Sequence, residues 1–260
     1  LEFRRVLFRS GLKVNCLNAA VGDRLSPYSI IFPGYSCISS SSKNPSAAVS
    51  RDGEIISYCT DESGRSHSAV LMDLVENALE KAGVSKAELS AIAVDIGPGS
   101  FTGVRIGVSC ANAMGFALGI AVIPVCSLTA LQYAADCRGV VCTLIDARNG
   151  NGYAAVYENG VEKLAPCPCV ISDIVQKYPP ETIKYVGDVK EYCSGERPNA
   201  MLVLRAAYCI AEARTKDTAV RPCDDERAET NQNDKTAARL SEAVPLYLRP
   251  SQAERMRGEN

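Results

Sequence analysis

Two stretches of this chain repeat one another at a fixed spacing, and that repeat limits the fold more than any other feature. Ile38-Ser39 is followed 107 residues later by Ile145-Asp146, Ala47-Ala48-Val49 by Ala154-Ala155-Val156, and Asp52-Gly53 by Asn159-Gly160. Each copy reads strand, polar turn, strand, two-residue Asx-Gly turn, strand. Asp-Gly and Asn-Gly readily take the positive φ angles that a tight hairpin turn needs. A duplicated three-stranded meander, each copy followed by helical sequence, predicts an α/β chain of two similar lobes with mixed sheets.

The helical pattern is clearest in the first half. Ser66 or Ser68 can cap a helix whose apolar face is Val70, Leu71, Leu74, Val75, Ala78 and Leu79, and Gly83 can end it. A strand follows at 91–96, a helix at about 103–118, a short strand at 121–125 and a helix from Ser127 to about Ala135. The second half continues with a strand at 140–145, another at 183–186 and a helix near 200–214. Residues 215–243 are polar and read as a surface loop. Residues 1–33 carry Arg4, Arg5 and Arg9 but no long apolar core, and read as a non-native or disordered extension. The expected organisation is a first lobe over 34–137 and a second over 138–255.

A formal net charge of −2 argues against a broad basic surface for nucleic acid. No apolar stretch is long enough to span a bilayer. The twelve cysteines include no Cys-x2-Cys pair, and His67 is the only histidine, so no metal site is expected. Cys110, Cys126 and Cys209 sit in apolar contexts and read as small hydrophobes in a reducing cytoplasm.

The run from Gly97 to Gly107, Gly-Pro-Gly-Ser-Phe-Thr-Gly-Val-Arg-Ile-Gly, joins a strand to a helix. It lacks the Gly-Lys-Ser/Thr of a P-loop. Two readings follow: a phosphate cradle at a helix N-terminus, or a turn that packs the helix closely on the sheet. The helix itself is apolar nearly all round, through Val104, Ile106, Val108, Ala111, Met114 and Phe116. Such a helix is buried on more than one side, which points to a partner surface.

The same run, extended to Leu128, closely resembles the signature of the TsaB family. So do Ser40-Ser41-Ser42 before Ala47-Ala48-Val49, Asp146-Ala147-Arg148, Tyr185-Val186-Gly187-Asp188, and Tyr247-Leu248-Arg249-Pro250-Ser251-Gln252 through Arg255. The resemblance implies an actin-like ATPase (ribonuclease H-like) fold. It also implies a non-catalytic subunit that binds and activates the catalytic paralogue TsaD in making N6-threonylcarbamoyladenosine at tRNA position 37. A TsaE-like ATPase would join the wider complex, tRNA would be met only through it, and the chain alone could pair with itself. No nucleotide would be bound independently, ATP or ADP with Mg²⁺ lying at the complex interface.

Residues follow from this reading. The helices at 66–82 and 103–118 would bind the partner, with Val70, Leu74, Arg105, Val108 and Met114 as contacts. Gly99, Ser100, Thr102, Asp146 and Arg249 are the candidates for a nucleotide or anion contact. Family members usually carry an acid where Ser39 stands, whereas the repeat places Asp146 at the equivalent point. Asn151 stands where the family often has Glu. The alternative is an independent actin-like ATPase or kinase built on Asp146, against which Ser39 and the missing P-loop argue. A metallopeptidase is disfavoured by the single histidine.

Overall fold

The computed structural model describes residues 34–134, 139–193, 195–219 and 242–248. The expectations for residues 1–33, for most of the polar stretch 215–243 and for Arg249 lie outside them.

Among the described residues, nine strands form two sheets. The first runs in the order β3-β2-β1-β4-β5, and the second β8-β7-β6-β9. In the first, β1 (Tyr35–Ser39), β2 (Ser46–Arg51) and β3 (Glu54–Thr60) make the antiparallel meander, while β4 (Ala91–Asp95) and β5 (Ala121–Val125) join in parallel. In the second, β6 (Val140–Asp146), β7 (Asn151–Glu158) and β8 (Val161–Val170) repeat the meander and β9 (Lys184–Gly187) adds in parallel. Both hairpins turn as their sequences require. Asp52 and Gly53 have φ of 52° and 82°, and Asn159 and Gly160 have 51° and 81°.

The repeat holds at these turns but slips by one residue in the first strand. Ile38 faces Ala47 across the ladder, whereas Ala154 is faced by Leu144. The parallel neighbours agree, with Ile38 beside Val94 and Leu144 beside Gly187. Ser39 therefore corresponds to Ile145, and Asp146 to Ser40, which corrects the pairing of Ser39 with Asp146 read from the ungapped sequence. The slip arises because the polar turn after the first strand is one residue longer in the second copy. By the same register, Asp95 at the end of β4 corresponds to Asp188 just after β9.

Helix α1 (His67–Ala82) buries Val70, Leu71, Leu74, Val75, Ala78 and Leu79 on the first sheet, and Gly83 closes it in a left-handed conformation. Each fully buried Val or Leu contributes about 1.5–3 kcal/mol relative to exposure. Helix α2 (Phe101–Leu118) lies beside it on the same face, its N-terminus capped by Ser100, whose Oγ accepts from the Gly103 N–H. These helices and the sheet enclose a core that includes Ile38, Ala47, Val49, Ile92 and Val94.

The opposite face of the first sheet is covered from the far end of the chain. Helix α5 (Ala200–Ala219), expected to end near 214 with the second half, packs on β1, β2, β4 and β5 and on α3 (Ser127–Leu131). One core cluster thus joins Tyr35, Cys37, Ala93 and Leu128 with Val141, Ile145, Ala155, Val203 and Leu204. A third cluster underlies α4 (Ile171–Lys177) on the outer face of the second sheet. The nine described cysteines are free thiols. Burial raises the thiols of Cys110 and Cys126 and pushes Cys142 up to about 12, as suits small hydrophobes.

Candidate functional site

At the carboxyl end of the first sheet, the loop after β1 and the turn before α2 meet on one buried carboxylate. Asp95 is fully buried at the end of β4. Its Oδ2 accepts from Ser39 Oγ at 3.0 Å and from Ser41 Oγ, and its Oδ1 accepts from Ser127 Oγ and from the Gly97 N–H at 3.0 Å. Burial raises the Asp95 carboxyl, and the four donors oppose that rise. Neither Asp95 nor Ser127 was singled out from the sequence. The available signal was an acid ending an otherwise apolar strand directly before the glycine-rich turn.

The glycines serve close packing. A Cβ on Gly103 would overlap the Ser40 carbonyl oxygen, one on Gly107 would overlap Ser40 Oγ, and one on Gly99 would lie 2.6 Å from the Ser41 carbonyl oxygen. The Ser100 N–H donates to the Ser41 carbonyl at 2.7 Å, and Ser40 Oγ donates to the Gly103 carbonyl at 2.7 Å. The chain at Ser40 and Ser41 therefore packs directly against the start of α2. Of the two readings of the run, the structure supports the close-packing turn.

Beside this network a cleft of about 600 Å³ opens between the lobes. Lys43, His67, Gly99 and Ser100 line one side, and Asp146, Arg148, Tyr153, Asp188 and Arg197 the other. Its carboxylates are engaged. Asp146 Oδ1 accepts the Arg148 N–H at 2.7 Å, Asp188 Oδ1 accepts the Asp146 N–H at 2.9 Å, and Asp188 Oδ2 pairs with Arg197 at 3.6 Å. His67 Nε2 lies 3.1 Å from the Lys43 carbonyl. Among the described residues no three His, Cys, Asp or Glu side chains group as a metal site, and no helix is long and apolar enough to cross a membrane.

Of the residues expected to contact an anion, Gly99, Ser100 and Asp146 are brought together at this cleft, while Thr102 lies exposed on the first turn of α2 and outside the lining. The expected partner contacts divide differently. Val70, Leu74, Val108 and Met114 face the first sheet and are buried, at 1%, 8%, 4% and 9% exposure. They are core residues, not surface contacts, because they lie on the stripe that the sheet requires. Arg105 is exposed.

The all-round apolarity of α2 has two explanations in the structure. One flank is covered by residues 242–248. Asn112 exchanges two hydrogen bonds with the Ala243 backbone, at 2.9 and 3.0 Å, and the Leu246 N–H donates to the Ile96 carbonyl at 2.8 Å. The outer side remains open, with Phe116 82% exposed and Phe101 and Ala113 also in solvent.

Two lobes with duplicated mixed sheets, helices on their faces and a cleft between them define the actin-like ATPase class of fold. A family model described as TsaD: tRNA N6-adenosine threonylcarbamoyltransferase matches residues 59–190, just over half of the chain. The protein named tRNA threonylcarbamoyladenosine biosynthesis protein TsaB from Bacillus subtilis is 35% identical over 125 residues, 46% of this chain and 54% of that one. Its namesake from Escherichia coli is 38% identical over 103 residues, 37% of this chain and 45% of that one. The chain thus spans about half the length of the curated relatives it matches. A Pseudomonas aeruginosa crystal structure, described as an uncharacterized protein with similarity to the peptidase YEAZ, superposes with a TM-score of 0.61 at 25% identity. That match covers 84% of this chain and 100% of that one. The chain belongs to the family of that model, and it is similar to proteins named TsaB.

Proposed function

We propose that this chain is a non-catalytic subunit in the synthesis of N6-threonylcarbamoyladenosine at tRNA position 37. It binds and activates a TsaD-like catalytic paralogue in the cytoplasm. The observation that carries this reading is the open apolar side of α2, where Phe116 stands 82% exposed on a helix whose other sides are filled. Large exposed apolar side chains grouped on one helix face mark protein interaction sites. Similarity to proteins named TsaB and the match to the TsaD family model support the choice of partner.

The cleft supports the non-catalytic part. Residues able to hold Mg²⁺ with a nucleotide do not fit that task in the chain alone. The end of β1 offers Ser39, turned into Asp95, and Asp95 is buried with four donors. Asp146 and Asp188 already accept backbone N–H groups. On this reading ATP or ADP with Mg²⁺ lies at the interface of the complex, where the partner adds ligands. A TsaE-like ATPase joins the assembly, tRNA is met through it, and the isolated chain can self-pair through the same open helix face.

The test is reconstitution. The catalytic paralogue and the ATPase from the same genome are given tRNA, threonylcarbamoyl-adenylate and Mg-ATP, with and without this chain. The expected result is modified adenosine only when the chain is present. Equal modification without it contradicts the proposal, and so does Mg-ATP turnover by the chain alone that Asp146→Asn abolishes.

A further inference from the structure

We infer that Tyr247 is a positioning residue that holds Arg105 on the open side of α2, ready to meet a carboxylate of the partner subunit. This rests on the partner-subunit reading above.

Arg105 is the one charged residue of α2, and its side chain is held by two residues, Phe101 and Tyr247. Its guanidinium carbon stands 4.1 Å from the centre of the Phe101 ring and 5.7 Å from that of Tyr247. Its Nε–H donates to the Tyr247 hydroxyl at 2.8 Å. The two rings lie 5.0 Å apart, tilted by 34°. Tyr247 is itself held, because its segment is bonded to Asn112 through Ala243 and to Ile96 through Leu246.

A free arginine side chain has many rotamers, and binding normally removes that freedom. Fixing the side chain beforehand lowers that cost. With Nε bonded to Tyr247, the two Nη groups remain for a planar acceptor. None of the ion pairs among the described residues involves Arg105. The surroundings favour a protein carboxylate over an RNA phosphate. Phe101 and Tyr247, which flank Arg105, are exposed apolar side chains, and Phe116 further along the same helix is exposed too.

Calorimetric titration of the full chain against the catalytic paralogue, at low and high salt, tests this. Arg105→Ala should weaken binding about thirtyfold and Tyr247→Phe about fivefold, as loss of an anchor and of one charge-assisted bond would. Tyr247→Phe should add nothing in the Arg105→Ala background, since it acts through Arg105. Only chains with Arg105 should lose affinity steeply with salt. An equal penalty for Tyr247→Phe in both backgrounds, or none with Arg105 present, overturns the inference. If Tyr247→Phe lowers the melting temperature, Arg105→Gln leaves the segment intact and must reproduce the Arg105→Ala loss. Tight wild-type binding that ignores both residues overturns this inference alone. No wild-type binding overturns the partner-subunit reading with it. Retention of tRNA by the isolated chain that Arg105→Ala abolishes overturns the assignment of a carboxylate.

Discussion

Ser39 donates a hydrogen bond to Asp95 across 3.0 Å, so the end of β1 supplies a donor to a buried acid at the end of β4. An aspartate at 39 would set two buried carboxylates side by side, and like charges at that distance cannot both ionise. Asp95 gathers the loop after β1, the turn before α2 and the start of α3 onto one group. The sign of its pH dependence follows from burial. Burial raises its folded pKa above the ordinary carboxylate value of 3.8, so the folded state binds its proton more tightly than the unfolded chain. The stability that Asp95 contributes is present below that value and falls as pH rises through the raised one. Denaturant unfolding of the parent and of Asp95→Asn, compared across this window, should show the parent's advantage shrinking as pH rises. An advantage that grows with pH contradicts the assignment.

The close approach of Ser40 to α2 predicts a specific rescue. Gly103→Ala and Gly107→Ala should each destabilise the chain by about 2–4 kcal/mol, as overpacking at a site that cannot relax does. The obstacles differ: backbone oxygen for Gly103 and the Ser40 hydroxyl for Gly107. Adding Ser40→Ala should recover much of the Gly107→Ala loss and little of the Gly103→Ala loss. Equal recovery in both would show that the contact is not the one described.

Two buried hydroxyls lie in one row under α1. Ser36 and Ser57 both neighbour Val49 across the ladders, and neither Oγ has a hydrogen-bond partner. An unpaired buried hydroxyl costs about 1–3 kcal/mol. Ser36→Ala and Ser57→Ala should therefore each raise the unfolding free energy, measured in urea, by about 0.5–1 kcal/mol. A loss of similar size would mean that the hydroxyls are satisfied.

Much of this fold is legible in the sequence because local chemistry dictates it. The Asx-Gly turns take the positive φ angles their residues favour, and the stripe from Val70 to Leu79 fixes the buried face of α1. What was not legible depended on distant parts of the chain. The 107-residue spacing could not reveal a single extra residue in a turn, which only the strand register exposes. The periodicity of α2 could not say which apolar side faced the sheet and which faced residues 242–248. Val108 and Met114 were consequently read as surface. Asp95 was legible only as an acid beside a glycine-rich turn, because its donors come from three separate segments.

The corrected face makes a sharper test of pairing. Phe116→Asp should remove binding to the catalytic paralogue while leaving the melting temperature within about 2 °C of the parent, since surface changes cost little. Val108→Asp should unfold the chain, because it buries an unpaired charge. Loss of folding in Phe116→Asp would place that ring in the core and contradict the open face.

The most direct measurement of the central claim is the mass of the mixture. The full chain and the catalytic paralogue from the same genome are run together through size exclusion with light scattering, with nucleotide present. The account predicts a single peak at the mass of a one-to-one complex. Two separate peaks, with both proteins folded, would contradict it and leave the open side of α2 without the partner proposed for it.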